Sequence, residues 1–169
     1  FVTDTPDFHR RDGERFPVHA HRFTGTPSYF FHVEQAASEF LRRTNTLAAD
    51  YRFAVFHQPN AKFPKQVAAH LGFKKPQFDP IVFADKIGNP YAASSLLGLA
   101  KALTLASVGD RILVSSYGSG AGADCFAVEM RSELNFLPEC FDDPCVQHDR
   151  DLSYEQFLIM NRQITRGRS

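Results

Sequence analysis

The stretch AASSLLGLAKALTLA, residues 92–106, carries a single charged side chain, Lys101. A surface helix shows a polar face, whereas a helix that is apolar all round is buried. Its small residues Ala93, Ser94, Ser95, Gly98 and Ala102 let another backbone come close. A helix from Ser94 to about Ala106 is therefore expected to sit between two layers. One sheet of a domain this size covers only one side of it. A partner layer or a second chain is expected on the other side.

The elements around it alternate. Ser28 to about Leu47 reads as an amphipathic helix, with Ser28 as cap after Pro27 and Phe30, Val33, Ala37, Phe40 and Leu41 at helical spacing. Tyr51–His57, YRFAVFH, is an apolar run of strand length, as in a sheet buried on both faces. Phe63–Leu71 reads as a short helix ended by Gly72, and Phe78–Phe83 as a second strand. Gly88-Asn89-Pro90 is a turn. Strands are expected at Arg111–Ser116 and Cys125–Met130, joined by the glycine-rich turn YGSGAGAD. Strand–helix alternation of this kind indicates an α/β layered domain. Residues 1–27, with Pro6, Pro17 and Pro27, read as a packed functional loop held by Phe1, Phe8, Phe16 and Phe23. Residues 131–169 read as an appended tail with a short terminal helix capped by Ser153.

Composition excludes several classes. The 169 residues are 43% hydrophobic and 22% charged, too apolar for a disordered chain. Lys and Arg total 19 against 19 Asp and Glu, which argues against a general nucleic-acid binder. No apolar run approaches the roughly 18–20 residues that span a membrane. Three cysteines do not make a disulfide framework, and no signal peptide opens the chain. A reducing, cytoplasmic setting is expected.

His57 follows the buried strand in HQPN, and Asn89 follows the second strand region in GNPY. Ligands of α/β sheets gather at the C-terminal ends of strands. A His and an Asn at neighbouring strand ends can donate hydrogen bonds to one thioester or ketone oxygen, an oxyanion-hole arrangement. The bland alternative is that His57 caps a helix and Asn89 takes a turn. The turn from Ser116 through Gly118 to Gly122 is not a phosphate loop, since it lacks the Lys and leads into a strand. It is either a backbone brought close to substrate or a plain hairpin. Lys62 and Lys65, one helical turn apart, either meet phosphates as point charges or line a solvated face. His9, His19 and His21 read as surface loop residues, and Cys140, Cys145 and His148 supply three loosely spaced ligands against the usual four, so no metal is expected. Cys125 reads as a small buried hydrophobe rather than a nucleophile.

Taken together, HQPNAKFPKQVAAHLGF, IGNPYAASSLLGLAKAL and GDRILVSSYGSGAGAD resemble the C-terminal half of hydroxymethylglutaryl-CoA (HMG-CoA) synthase, in particular the archaeal type, within the thiolase superfamily. VTDTPDFHRRDGERFP and RFTGTPSYFFH are similar to the same family's lead-in, so the resemblance covers residues 1–130 and fades in the tail. It implies one half of a five-layer α-β-α-β-α fold, with a mixed sheet and helices on both faces. The apolar helix would be a central-layer helix, and its missing partner the matching helix of the N-terminal half.

By the same resemblance, His57 and Asn89 match the active-site residues that contact the acyl thioester and its carbonyl. Lys62 matches a coenzyme A-binding lysine, with Lys65 assisting. Ser116 and Gly118 match the turn lining the acyl pocket, and Asp7 and Phe8 a substrate-side loop. Coenzyme A thioesters are implied as substrates, with no tightly bound cofactor. The family's Cys nucleophile and Glu base lie in the N-terminal half, and no cysteine here matches that nucleophile. This chain is therefore expected to need that half, as a homo- or hetero-oligomer. Archaeal relatives also assemble with a thiolase and a zinc-bearing OB-fold protein. The implied reaction joins acetyl-CoA and acetoacetyl-CoA to give HMG-CoA for the mevalonate route to isoprenoids. A related acyltransferase with another acceptor, or a non-catalytic coenzyme A-binding scaffold subunit, are the alternatives.

Overall fold

The computed structural model describes residues 1–5, 7–20, 24–118, 121–134 and 152–164. The chain divides into two compact units, residues 1–137 and 138–169. The first is built on a three-stranded mixed sheet. Strands β1 (Phe8–His9) and β2 (Val18–His19) form a separate short antiparallel ribbon. Helix α1 spans Phe30–Thr44, and strand β3 spans Phe53–Phe56. Helices α2 (Lys62–His70), α3 (Lys75–Phe78), α4 (Ala84–Ile87) and α5 (Ala93–Leu105) then precede β4 (Arg111–Ser115) and β5 (Cys125–Glu129). The sheet order is β3-β4-β5, with β3 parallel and β5 antiparallel to β4.

Every residue of β3 is buried because both faces of the sheet are covered. Ala54 and Phe56 face Val33, Ala37, Val67, Ala68 and Phe73 on the α1–α2 side. Phe53 and Val55 alternate to the other face, against Ile81 and Ala102. Helix α5 lies on that second face and presses Ser94, Ser95, Gly98 and Ala102 inward. Leu96, on the same helix, is 66% exposed. An all-apolar helix with one covered face is what the residue pattern predicts for a layer with a further partner. No helix among the described residues is long and apolar enough to cross a membrane.

Two expectations need correction. Helix α1 starts at Phe30, after a wide turn over Gly25–Tyr29, and Ser28 does not cap it. The Ser28 hydroxyl instead reaches Tyr117 Oη at 2.7 Å, which draws it away from the helix start. The helix ends at Asn45, whose left-handed conformation (φ 51°) closes the last turn. The strand expected at Phe78–Phe83 is a succession of helical turns, α3 followed by a single tight turn at Asp79–Ile81. Pro80 lacks an N–H for a ladder, and the Gln58 side chain takes the Ile81 carbonyl and the Phe83 amide that a strand would have spent on a neighbour.

In the second unit, α6 spans Tyr154–Met160. Ser153 Oγ accepts from the Gln156 amide at 3.2 Å and Gln156 Oε1 accepts from the Ser153 amide at 2.8 Å, a reciprocal cap of the kind the sequence predicts.

Candidate functional site

His57 leaves the C-terminal end of β3 while its backbone N–H still donates to the Ser115 carbonyl of β4 at 3.0 Å. Its carbonyl accepts from the Tyr29 hydroxyl at 2.7 Å. The backbone is thus held from both sides, and the ring stands among Tyr29, at 6.4 Å between centroids, and Tyr117, at 6.0 Å. It opens into a cavity of about 310 Å³ lined by aromatic side chains, including Phe8, Tyr29, Phe63 and Tyr117, together with His57 and Asn89.

Only 8% of His57 remains exposed. That burial lowers its pKa from 6.5 to about 4, so the ring is neutral at pH 7 and carries one N–H donor. The linkage follows directly. The unfolded chain takes up a proton near pH 6.5 that the folded chain refuses until about pH 4. Stability is therefore intact above pH 6.5, falls as the pH drops through that window, and has lost roughly 3 kcal/mol below it. Thermal unfolding of the protein and of its His57→Gln variant between pH 7 and 4 checks this. The parent is expected to lose Tm more steeply, and parallel curves would refute the buried neutral imidazole.

Asn89 sits in the loop between α4 and α5, not at a strand end, because the preceding segment is helical. Its Oδ1 accepts from the Tyr91 amide at 2.8 Å. That bond assigns the side-chain orientation and leaves Nδ2, a donor, on the other side. The geometry therefore brings a neutral imidazole and a carboxamide to one apolar cavity, as donors without a formal charge. Two such donors suit an oxygen that gains negative charge during reaction.

The other expected residues divide. Phe8, on β1, and Gly118 line the same cavity, and a Cβ on Gly118 would meet nothing within 4 Å. Ser116 lines an adjoining depression of about 510 Å³, its amide donating to the Asp124 carbonyl. The turn between them is a hairpin tightened by reciprocal amide–carbonyl bonds between Gly118 and Gly122. At Gly118 its backbone reaches the cavity wall. Ser119 and Gly120 lie outside the described residues.

Asp7 is fully buried and does not reach the cavity surface. Its Oδ2 accepts from the Tyr117 hydroxyl at 2.7 Å. Since that proton points at Asp7, Ser28 donates its own to Tyr117. Asp7 therefore anchors a cavity wall. Lys62 is exposed at the start of α2, between the cavity residues Pro59 and Phe63. Lys65 faces a different depression and pairs with Asp79 at 3.2 Å.

Asn60, not His57, caps α2, its Oδ1 accepting the amides of Lys62 and Phe63 at 2.9 Å each. Burial pushes the Cys125 thiol up to about 12, which keeps it protonated and unreactive at neutral pH. His21, Cys140, Cys145 and His148 lie outside the described residues, and among those described no group of three His, Cys, Asp or Glu side chains comes together to hold a metal.

Tyr29, Phe63 and Tyr117 are cavity residues the sequence reading passed over. For Tyr117 a signal was available, since it stands between Ser116 and Gly118, both singled out. Tyr29 had none, because an aromatic at a helix start reads simply as core.

Residues 41–130 match the family model described as 3-oxoacyl-[acyl-carrier-protein (ACP)] synthase III C terminal. The chain is 47% identical to the hydroxymethylglutaryl-CoA synthase of Methanopyrus kandleri over 171 residues, covering 97% of this chain and 47% of that protein. It thus spans about half the length of the curated relatives it matches. Among solved structures it is similar to 3-oxoacyl-(acyl carrier protein) synthase III from Pseudomonas aeruginosa PAO1, with a TM-score of 0.65, 19% identity and coverage of 76% of this chain and 41% of the other. An HMG-CoA synthase complexed with CoA gives a TM-score of 0.64 and 24% identity over 85% of this chain and 38% of its own. The fold is thiolase-like, and the chain belongs to the family of 3-oxoacyl-[acyl-carrier-protein] synthase III C-terminal domains.

Proposed function

We propose that this chain is the C-terminal part of an acyl-CoA condensing enzyme of the HMG-CoA synthase type. The complete enzyme would join acetyl-CoA, acetoacetyl-CoA and water to give HMG-CoA and CoA. The observation that carries the reading is the pairing of neutral His57 with the Asn89 carboxamide at one aromatic-walled cavity. The 47% identity to an archaeal HMG-CoA synthase supports the choice of reaction.

In this reading an N-terminal part supplies a cysteine thiolate that takes the acetyl group from acetyl-CoA, releasing CoA, and a carboxylate base that removes a proton from the bound acetyl's methyl. The resulting carbanion attacks the ketone carbon of acetoacetyl-CoA. A carbon–carbon bond forms, and the carbonyl electron pair moves to oxygen. His57 and Asn89 donate hydrogen bonds where that charge develops. That oxygen takes up a proton; water then cleaves the cysteine thioester, releasing HMG-CoA and the thiolate. Tyr117, anchored by Asp7, keeps the wall beside His57 in place. Lys62, exposed at the start of α2 beside the cavity residue Phe63, faces the phosphates of coenzyme A as a point charge. Coenzyme A bound by a structure of the same fold supports a thioester carried on that group.

The test is a condensation assay on the complete enzyme. Asn89→Ala removes one donor and is expected to lower kcat roughly 100-fold or more. An enzyme that ignores acetoacetyl-CoA but turns over another acceptor would move the chain to a related acyltransferase. Undiminished turnover by the variant would refute the oxyanion role.

A further inference from the structure

Gln58 follows His57 and is 1% exposed. Its backbone N–H donates to Ser94 Oγ at 2.7 Å. Its side-chain Nε2 donates to the Ile81 carbonyl at 3.1 Å, and Oε1 accepts the amides of Phe83 at 2.9 Å and Ala84 at 3.3 Å. Phe83 and Ala84 open α4, and Ser94 lies in the first turn of α5. The segment between them carries Asn89. Both ends of that segment are thus fastened to the residue adjacent to His57.

The segment needs such fastening. Asp85, Lys86, Gly88, Tyr91, Ala92 and Ala93 are exposed, so little apolar burial fixes its position. Glutamine supplies what the place requires. Ile81 offers a carbonyl, while Phe83 and Ala84 offer N–H groups, and one neutral side chain must donate to the first and accept from the others. A glutamate there would set a carboxylate oxygen against the Ile81 carbonyl. A methionine would leave all three backbone groups without that partner, two of them buried.

We infer that Gln58 is a positioning residue that sets the separation of His57 and Asn89 by clamping both ends of the Asn89 segment. The inference rests on the oxyanion reading above.

The test is a double-mutant cycle in the complete enzyme, Gln58→Met against Asn89→Ala, read in kcat for condensation. In the Asn89 background Gln58→Met is expected to lower kcat about 30-fold, and in the Asn89→Ala background by no more than about threefold, because the donor it positions is already gone. Amide hydrogen exchange across residues 83–94 is expected to speed up in Gln58→Met. Equal losses in both backgrounds would overturn the inference, as would unchanged exchange, while leaving the oxyanion reading intact. An Asn89→Ala enzyme with full kcat would overturn the oxyanion reading itself, and the inference with it. Should Gln58→Met fail to fold, Ser94→Ala removes a single bond of the clamp. The same cycle then expects about a fivefold loss that vanishes in the Asn89→Ala background.

Discussion

His57→Ala in the complete enzyme is expected to lower kcat roughly 100- to 1,000-fold while the protein stays folded at pH 7. The two halves of that expectation have separate causes. The rate falls because one of two uncharged donors at the cavity disappears, and the other cannot alone hold the developing oxyanion. The fold survives because the elements are held through the His57 backbone. Its N–H goes to Ser115 and its carbonyl to Tyr29. Among the described residues no hydrogen bond runs through its ring. The lost contacts with Tyr29 and Tyr117 cost about 1 kcal/mol. His57→Gln, which keeps an N–H donor, is expected to recover part of the rate. A steady-state assay with a thermal melt beside it separates these effects, and a kcat within a few-fold of the parent would sink the assignment.

Gly98→Leu is expected to destabilise the protein by about 3 kcal/mol or more, and Gly98→Ala by a smaller amount of the same sign. Alanine is the better helix former by about 1 kcal/mol, so propensity alone predicts a gain. Packing decides otherwise. A Cβ at position 98 would lie 2.6 Å from Val55 Cγ1, inside the contact between α5 and β3. Valine is stiff at χ1, so α5 must move outward rather than Val55 turn aside. Ser94 rides on α5 and accepts the Gln58 amide, so an outward shift of the helix also loosens the clamp beside His57. Melting curves of both variants check the order, and a Gly98→Ala protein more stable than the parent would show that α5 does not seat where it is placed.

How much of this was legible in the residues can be said element by element. The reading placed α1, α2, α5 and the strands at Phe53–Phe56, Arg111–Ser115 and Cys125–Glu129 to within a few residues. It also foresaw that α5 would keep an uncovered apolar side, and Leu96 is exposed. The cavity was half legible. His57, Phe8, Asn89 and Gly118 stand at it, whereas Asp7, Ser116, Lys62 and Lys65 do not line it. Helical spacing places Lys62 and Lys65 on one helix, but only the Asp79 pairing decides where Lys65 points.

The sequence by itself determined most local elements, the cap at Ser153, and the family resemblance. Periodicity and capping act over a few residues, and motifs are read in order along the chain. Only the tertiary structure decided that residues 78–83 coil instead of pairing, that Asp7 anchors Tyr117 from 110 residues away, and that Gln58 reaches Ser94 across 36. Those outcomes turn on buried polar groups finding partners. Which partner is in reach depends on how the layers stack, which no local pattern encodes.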